Sequence, residues 1–173
     1  LDAPVGEYGR GDAEAAHHAV AAAREAFPIW SMKSPQERAD VLDRAGTLLL
    51  ERKEALGRLL SSEEGKILSE GVAEVTRAGQ ILKFMAGEAL RLSGERLAST
   101  RVGVDVEITR EPVGVFGLIT PWNFPVAIPA WKAAPALAYG NTVVLKPADA
   151  TPGSAWALAA ILHEAGLTAG AFN

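Results

Sequence analysis

The sequence contains no cysteine, so disulfide bonds, thiolate metal sites and cysteine nucleophiles are excluded from all 173 residues. Histidine is scarce as well. Of the three histidines, His17 and His18 are adjacent, and neighbouring side chains on a helix point about 100° apart, which is unfavourable for binding one ion together. We therefore expect no metal site in this chain.

Two further absences narrow the class of protein. Acidic residues outnumber basic ones by 21 to 17, so the sequence lacks the positive charge of a nucleic-acid-binding protein. Its apolar runs are shorter than the roughly 18 residues that cross a bilayer, and its first residues lack the pattern of a signal peptide. With 49% hydrophobic and 22% charged residues, we expect a globular, cytoplasmic protein without a nucleic-acid or membrane partner.

An apolar stripe near the start of the sequence predicts the first helix. Its members recur at steps of three and four residues: Ala13, Ala16, Val20, Ala23 and Phe27. We expect Asp12 to cap this helix, because its carboxylate can accept hydrogen bonds from the first free N–H groups. Pro28 is expected to end the helix, because proline lacks the N–H of the helical hydrogen bond.

Two more helices are predicted before residue 94. Ser34–Glu37 is a capping box with proline at the first helical position, and it opens a helix that bends before Leu56. A third, long apolar stripe begins near Leu68, and Gly94 is expected to stop that helix.

Residues 101–109 change to a period of two. Valine or isoleucine stands at every second position, which predicts a strand with one exposed face. Such a strand needs antiparallel partners. Because no second alternating run is present, we expect these partners in another chain or in sequence outside the 173 residues.

The last third of the sequence has the pattern of a parallel α/β sheet. Val113–Ile119 is continuously apolar and predicts a strand buried on both faces, and Thr142–Leu145 predicts a second. An apolar helix to about Tyr139 separates them. Thr151 is expected to cap a further helix, after which Ala171–Asn173 begins a third strand. Strand and helix alternate, so we expect the first half of a doubly wound parallel sheet.

Two polar segments, Thr120–Pro125 and Lys146–Asp149, follow the predicted strands. In open parallel sheets ligands bind outside the carboxyl ends of the strands, so we expect the functional site there. No G-x-G-x-x-G stands between the first of these strands and its helix, so the standard dinucleotide-binding motif is absent.

Four side chains in these segments each have two interpretations. Asn123 is either a turn residue bonded to its own backbone or an amide that donates to a developing oxyanion. Trp122 is either part of the core or the wall of a cofactor slot. Lys146 either reaches water or holds a ligand hydroxyl or phosphate. Asp149 either caps the next helix or accepts hydrogen bonds from a ribose diol.

Several motifs occur together at a spacing that resembles the aldehyde dehydrogenase superfamily. They are Glu64-Gly65-Lys66, Glu111–Val115, Ile119–Pro125, Trp131-Lys132, Pro135–Leu137, Gly140–Thr142 and Lys146–Ala148. The likeness covers nearly the whole chain. It implies a helical part of the cofactor domain over residues 1–94, a strand of an oligomerisation arm over 95–111, and the first, incomplete part of the NAD(P)-binding α/β domain over 112–173.

The resemblance also implies roles for residues at the strand ends. Asn123 matches the family's donor to the thiohemiacetal oxyanion. The implied cofactor contacts are Ile119, Thr120, Trp122, Lys146 and Asp149. The family usually has glutamate or serine at the last of these positions. Phe124, Ile128 and Trp131 match positions that line the aldehyde tunnel, and Lys132 matches one implicated in proton movement.

The implied activity is oxidation of a small aldehyde or semialdehyde to a carboxylic acid through a cysteine thiohemiacetal. The implied cofactor is NAD⁺, with NADP⁺ as the alternative, and the implied assembly is a homo-oligomer, either dimer or tetramer. The family's cysteine nucleophile and glutamate base are missing here. We therefore expect the chain to be the N-terminal part of the enzyme and to be inactive alone.

The substrate is less narrowly indicated. Pro125–Lys132, together with Asp149 and Gly153–Trp156, most resembles the α-ketoglutaric semialdehyde dehydrogenase branch of the family. Succinic semialdehyde or another small semialdehyde is the alternative. Two other classes stay open: a CoA-acylating aldehyde dehydrogenase, and a non-catalytic binding or assembly module that keeps only the nucleotide fold.

Overall fold

A computed structural model describes residues 4–173 and places helices and strands along most of them. In chain order the elements are α1 Ala13–Ser31, α2 Pro35–Glu51, α3 Lys53–Glu64, α4 Leu68–Ala89, β1 Glu95–Ala98, β2 Asp105–Ile108, β3 Val115–Ile119, α5 Ala127–Ala138, β4 Thr142–Lys146 and α6 Pro152–Glu164. Within the described part of the chain, no helix is both long and apolar enough to cross a membrane.

Helix α1 begins as predicted, since the Asp12 carboxylate accepts a hydrogen bond from the Ala15 N–H at 2.9 Å. The prediction that Pro28 ends this helix was wrong, because the helix continues to Ser31. Proline removes one helical hydrogen bond, but the extra turn buries Trp30 completely. Burial of so large a side chain outweighs the lost hydrogen bond.

The predicted apolar stripe of α1 was also partly wrong. Val20 is 40% exposed, and Ala13 and Ala16 face solvent. The buried residues of α1 are Ala23, Ala26 and Trp30. The buried residues all lie in the second half of α1, so the predicted stripe extended the buried face too far towards the N-terminus.

Helices α2, α3 and α4 follow the predicted pattern closely. The capping box is confirmed: Ser34 Oγ accepts from the Glu37 N–H, and the Glu37 carboxylate accepts from the Ser34 N–H. The predicted bend is the break between α2 and α3 at Arg52. Gly94 does not end α4, which stops at Ala89. Instead, a Cβ on Gly94 would lie only 2.5 Å from the carbonyl oxygen of Ile108, so glycine permits this close approach.

The capping box predicts a pH-dependent contribution to stability. Hydrogen bonds from the Ser34 backbone and the Lys33 side chain lower the pKa of Glu37 from 4.5 to about 2. Because the folded pKa is the lower one, this contribution is complete above about pH 4.5 and is lost as the pH falls towards 2. We expect paired thermal melts to show the advantage of wild type over Glu37→Gln shrinking between about pH 6 and pH 3. An advantage independent of pH would contradict this.

The alternating segment forms a hairpin rather than a lone strand. Its β-structure is limited to Asp105–Ile108, and the expectation that its partner lies elsewhere was wrong, because β2 pairs antiparallel with β1. The register places Glu95 opposite Ile108 and Ala98 opposite Asp105. Every residue of both strands is exposed. The partner was missed because a four-residue strand is too short to show an alternation.

The parallel sheet is confirmed. Strand β3 pairs with β4 from Val115 opposite Thr142 to Ile119 opposite Lys146, and Phe172 bridges to Val143 in parallel as the predicted third strand. The prediction that β3 is buried on both faces was wrong. Leu118 is only 8% exposed, but Ile119 is 81% exposed. Within residues 4–173, β3 has β4 as its one strand neighbour, so part of its surface lies open.

One hydrophobic core unites the helices on either side of the hairpin. It extends from Ala26 in α1 to Ala171, and α4 packs against α2, α3 and α5. Helices α2 and α4 approach closely at two glycines, since a Cβ on Gly46 would lie 2.8 Å from the Gly79 carbonyl oxygen. This packing places α4 directly beside the turn that enters α5.

Candidate active site

The two polar segments meet at one edge of the sheet. Ile119 and Lys146 are the last paired residues of β3 and β4, and the Thr120 N–H donates to the Lys146 carbonyl oxygen at 3.3 Å. The two strands run parallel, so both loops leave from the same end. The structure therefore brings together the segments that the sequence predicted as the site.

Lys146 and Asp149 interact with each other at this edge. The Lys146 ammonium donates to Asp149 Oδ1 at 2.9 Å, and Arg10 lies 3.4 Å from Asp149 Oδ2. The hydrogen bond and charge of Lys146, followed by the charge of Arg10, lower the pKa of Asp149. Both side chains of the Lys146–Asp149 pair are more than half exposed. They present one cationic and one anionic group to a ligand.

Helix α6 is capped by Glu63 rather than by the predicted Thr151 side chain. The Glu63 carboxylate accepts from the N–H groups of Gly153 and Ser154 at 2.7 and 2.8 Å, and from Ser154 Oγ. Thr151 precedes the helix but makes no side-chain cap bond. Asp149 does not cap this helix either, so its carboxylate stays with Lys146.

The turn after β3 exposes its side chains. Trp122 is 60% exposed and Phe124 is 47% exposed, so the interpretation of Trp122 as a core residue is wrong. Asn123 is exposed as well. Among residues 4–173, Asn123 makes one hydrogen bond: its backbone carbonyl oxygen accepts from Lys66 Nζ at 2.9 Å. The Asn123 amide is therefore not engaged by its own turn.

Helix α5 continues this surface. Ile128, Trp131 and Lys132 stand at positions i, i+3 and i+4 and so share one face of the helix, with Phe124 one turn before them. Ile128 is half-buried, whereas Trp131 is 56% exposed. The Arg77 guanidinium lies 5.9 Å from the Trp131 ring. The three predicted tunnel residues thus form an apolar wall beside Asn123.

Sequence reasoning missed Glu74, which organises the start of α5. It is 4% exposed, and its Oε1 accepts from the N–H groups of Val126 and Ala127 at 2.9 and 3.1 Å. Its Oε2 accepts from Lys66 Nζ at 2.7 Å. The available signal was an acid within the apolar stripe of α4, directly before Val75.

Lys66 connects this buried carboxylate to the turn. Besides Glu74 and the Asn123 carbonyl, its ammonium lies 3.2 Å from Glu64 and 4.4 Å from the centre of the Phe124 ring. Burial disfavours the charged form, but the hydrogen bonds and charges of Glu74 and Glu64 outweigh burial and raise the pKa of Lys66. Lys66 belongs to the Glu64-Gly65-Lys66 motif, to which the sequence alone gave no role.

The sheet edge offers suitable groups for a dinucleotide. Thr120 Oγ1 is buried and has no hydrogen-bond partner among residues 4–173, and Lys146 and Asp149 lie exposed beside it. A lysine and a carboxylate together match the acceptor and donor character of ribose hydroxyls. No group of three or more potential metal ligands is placed to hold an ion within the described residues.

Comparison with known proteins agrees with this geometry. The aldehyde dehydrogenase family model matches residues 2–173. The chain is 45% identical over 169 residues to the alpha-ketoglutarate semialdehyde dehydrogenase of Haloferax volcanii, which covers 98% of this chain and 35% of that protein. It is 43% identical, with the same coverage, to the alpha-ketoglutaric semialdehyde dehydrogenase of Bacillus subtilis. The chain spans about a third of the length of these relatives.

Solved structures share the fold. An NADP-dependent enzyme of E. coli superposes with a TM-score of 0.91 at 39% identity, over 92% of this chain and 33% of that one. The NADP-dependent glyceraldehyde-3-phosphate dehydrogenase of Bacillus halodurans, solved with NADP, gives 0.88 at 38% identity, over 92% and 34%. The expected α/β fold is confirmed. The chain belongs to the aldehyde dehydrogenase family.

Proposed function

We propose that this chain supplies the sheet edge that binds the cofactor, and the oxyanion donor, of an NAD(P)⁺-dependent aldehyde dehydrogenase acting on a small semialdehyde. The observation that carries the proposal is that the free amide of Asn123 and the Lys146–Asp149 pair follow the paired ends of β3 and β4. Family membership supports the reaction class. The names of the two relatives support α-ketoglutaric semialdehyde as the substrate, with succinic semialdehyde as the alternative.

The cofactor-binding part of the proposal concerns Ile119, Thr120, Trp122, Lys146 and Asp149. When bound, NAD(P)⁺ accepts a hydride from the substrate. The exposed Trp122 offers a flat apolar surface, and Lys146 and Asp149 offer polar contacts for ribose hydroxyls. A carboxylate at position 149 repels a 2′-phosphate, so NAD⁺ is the proposed cofactor, with NADP⁺ as the alternative.

The substrate part concerns Asn123 and the apolar wall of Phe124, Ile128 and Trp131. An amide donates a hydrogen bond without changing charge, so the Asn123 side chain can stabilise negative charge on the aldehyde oxygen. The wall offers apolar contacts to the carbon chain of the substrate. Lys132, exposed on the same face of α5, is the proposed group for proton movement. We propose that the nucleophilic cysteine and the general-base glutamate come from sequence outside residues 1–173.

Assembly and location belong to the same proposal. The β1–β2 hairpin is exposed on both faces and carries Leu97, Val106 and Ile108, each more than a third exposed. Such a surface is suited to pairing with another copy of the chain. We therefore propose a homo-oligomer with this hairpin as part of its arm, in the cytoplasm.

The proposal is tested with the full-length protein that contains this chain. Purified protein is incubated with α-ketoglutaric or succinic semialdehyde and with NAD⁺ or NADP⁺, with and without CoA, and formation of the reduced cofactor is followed by its absorbance. We expect CoA-independent formation of the acid, fastest with NAD⁺. A strict requirement for CoA would identify an acylating enzyme instead, and no turnover with any aldehyde would favour a binding module.

Replacement of Lys146 by alanine is expected to weaken cofactor binding selectively. Loss of one charged hydrogen-bond donor costs about 1.5 kcal/mol, so the KM for NAD⁺ should rise about 10-fold while aldehyde specificity stays unchanged. Lys83→Ala is the matched control, because it also removes a lysine paired with an aspartate, but on α4. Unchanged cofactor kinetics in Lys146→Ala would show that this lysine only reaches solvent.

A further inference from the structure

Lys66 directly contacts both the buried Glu74 and the main chain of Asn123, the proposed oxyanion donor. Its ammonium donates to the Asn123 carbonyl oxygen at 2.9 Å and to Glu74 at 2.7 Å. Glu74 in turn accepts from the Val126 and Ala127 N–H groups at the start of α5. The turn between β3 and α5 is thereby held at its middle and at its α5 end by one ion pair, formed by Lys66 of the α3–α4 loop and Glu74 of α4.

The burial of this ion pair makes it rigid. The Lys66 and Glu74 side chains are 11% and 1% exposed, so few waters compete for their hydrogen bonds. The free N–H groups at the helix N-terminus stabilise the Glu74 carboxylate further. Lys66 also faces the Glu64 carboxylate and the Phe124 ring. A cation held from several directions keeps the main chain of the turn in one position.

We propose that Lys66, held by Glu74, is a positioning residue for Asn123: by fixing the Asn123 carbonyl it aims the side-chain amide at the substrate oxygen. The inference rests on the proposed role of Asn123. Lys66 itself touches no reacting atom. A displacement of about 1 Å at a catalytic group can cost up to 10²-fold in rate, so loss of this anchor should lower turnover.

The alternative is a purely structural ion pair. Removing one partner of a buried pair would then lower stability, since it leaves an uncompensated charge, but the enzyme that stays folded would turn over normally. The two interpretations therefore differ in the kcat of the folded enzyme and in its dependence on Asn123.

The test is a double-mutant cycle in the full-length enzyme. Lys66→Met should lower kcat about 10-fold with the KM for NAD⁺ unchanged, whereas Lys66→Arg, which keeps the charge and the donors, should recover most of the rate. In the Asn123→Ala background, Lys66→Met should lower kcat by less than about twofold, because there is no amide left to aim. Lys83→Met is the control for loss of a lysine ion pair on α4.

The outcomes separate this inference from the proposed function. If Asn123→Ala keeps its kcat, the proposed oxyanion role of Asn123 fails, and the positioning role of Lys66 fails with it. If Asn123→Ala loses activity while Lys66→Met keeps its kcat, or if the two losses multiply, the positioning role is overturned and the oxyanion role stands. Should Lys66→Met fail to fold, Lys66→Met/Glu74→Gln replaces it, because the glutamine oxygen still accepts from α5 and no charge is left at position 74.

Discussion

Replacement of Asn123 by alanine in the full-length enzyme is expected to lower kcat by roughly 10²–10³, with the KM for aldehyde changed only a few-fold. The effect falls on kcat because the amide hydrogen bond strengthens as negative charge develops on the aldehyde oxygen. Asn123→Asp should be at least as damaging, since a carboxylate cannot donate and repels the oxyanion. Steady-state kinetics of both variants, with thermal melts to confirm folding, measure this effect.

The competing interpretation makes Asn123 a turn former. Its loss would then cost about 1 kcal/mol of stability and leave kcat unchanged. The structure argues against this, because within residues 4–173 the Asn123 amide has no hydrogen-bond partner. We therefore expect the melting temperature of Asn123→Ala to match that of wild type. A folded Asn123→Ala enzyme with kcat within a few-fold of wild type would disprove the oxyanion role.

Asn141 offers a matched control of the same residue type. Its Oδ1 accepts from the N–H groups of Val113 and Gly114 at 2.7 and 3.0 Å, and its Nδ2 donates to the Ala136 carbonyl at 3.2 Å. This buried side chain holds the entry to β3 against the end of α5. Asn141→Ala should show the opposite pattern, a lower melting temperature with the kcat of the folded enzyme retained.

The features that the sequence predicted correctly depend on short stretches of chain. The Ser34–Glu37 capping box closes within four residues, and the run Thr142–Leu145 predicted strand β4, which is buried in its first two residues. The site segments could be placed because a polar run directly after a parallel strand must lie at the carboxyl edge of the sheet. Local pattern and sheet geometry together were sufficient for these elements.

The features that the sequence did not predict depend on residues far apart in the chain. Glu63 caps a helix that begins about 90 residues later, and Glu74 accepts hydrogen bonds from residues more than 50 positions away. A proline in α1 is tolerated because Trp30 packs beneath distant α5, where its indole donates to the Leu137 carbonyl. Such contacts leave no periodicity in the sequence, so an acid in an apolar stripe was the strongest available sign of them.

Arg38 is expected to be the most costly charged residue to remove from the helical layer. It lies at the start of α2 and is 7% exposed. Its Nε donates to the Ala138 carbonyl oxygen at 2.9 Å, and its Nη1 donates to the carbonyls of Lys33 and Ser31. The Arg38 guanidinium thus donates hydrogen bonds at the C-terminal ends of both α1 and α5, where the helix dipoles also favour a positive charge.

Arg38→Met should therefore lower stability by about 3–5 kcal/mol, because each hydrogen bond from a charged donor is worth about 1.5–3 kcal/mol and at least two are lost. Methionine fills much of the same volume as arginine. The loss of stability therefore measures the hydrogen bonds to the carbonyl groups and not the creation of a cavity. Native-state hydrogen exchange of the amides in α1 and α5 measures the change in opening free energy for these helices. Burial lowers the pKa of Arg38, but arginine remains charged throughout the accessible pH range.

Arg44→Met on the same helix is the control. Arg44 donates one hydrogen bond to a helix-terminal carbonyl, that of Ala165 at 3.0 Å, and is more accessible to water. Its removal should cost about 1 kcal/mol, confined to α6 and the end of α2. Equal losses for Arg38→Met and Arg44→Met would mean that water replaces the guanidinium at the buried carbonyls. The hydrogen bonds from Arg38 to the ends of α1 and α5 would then contribute little to the stability of the helical layer that carries the site.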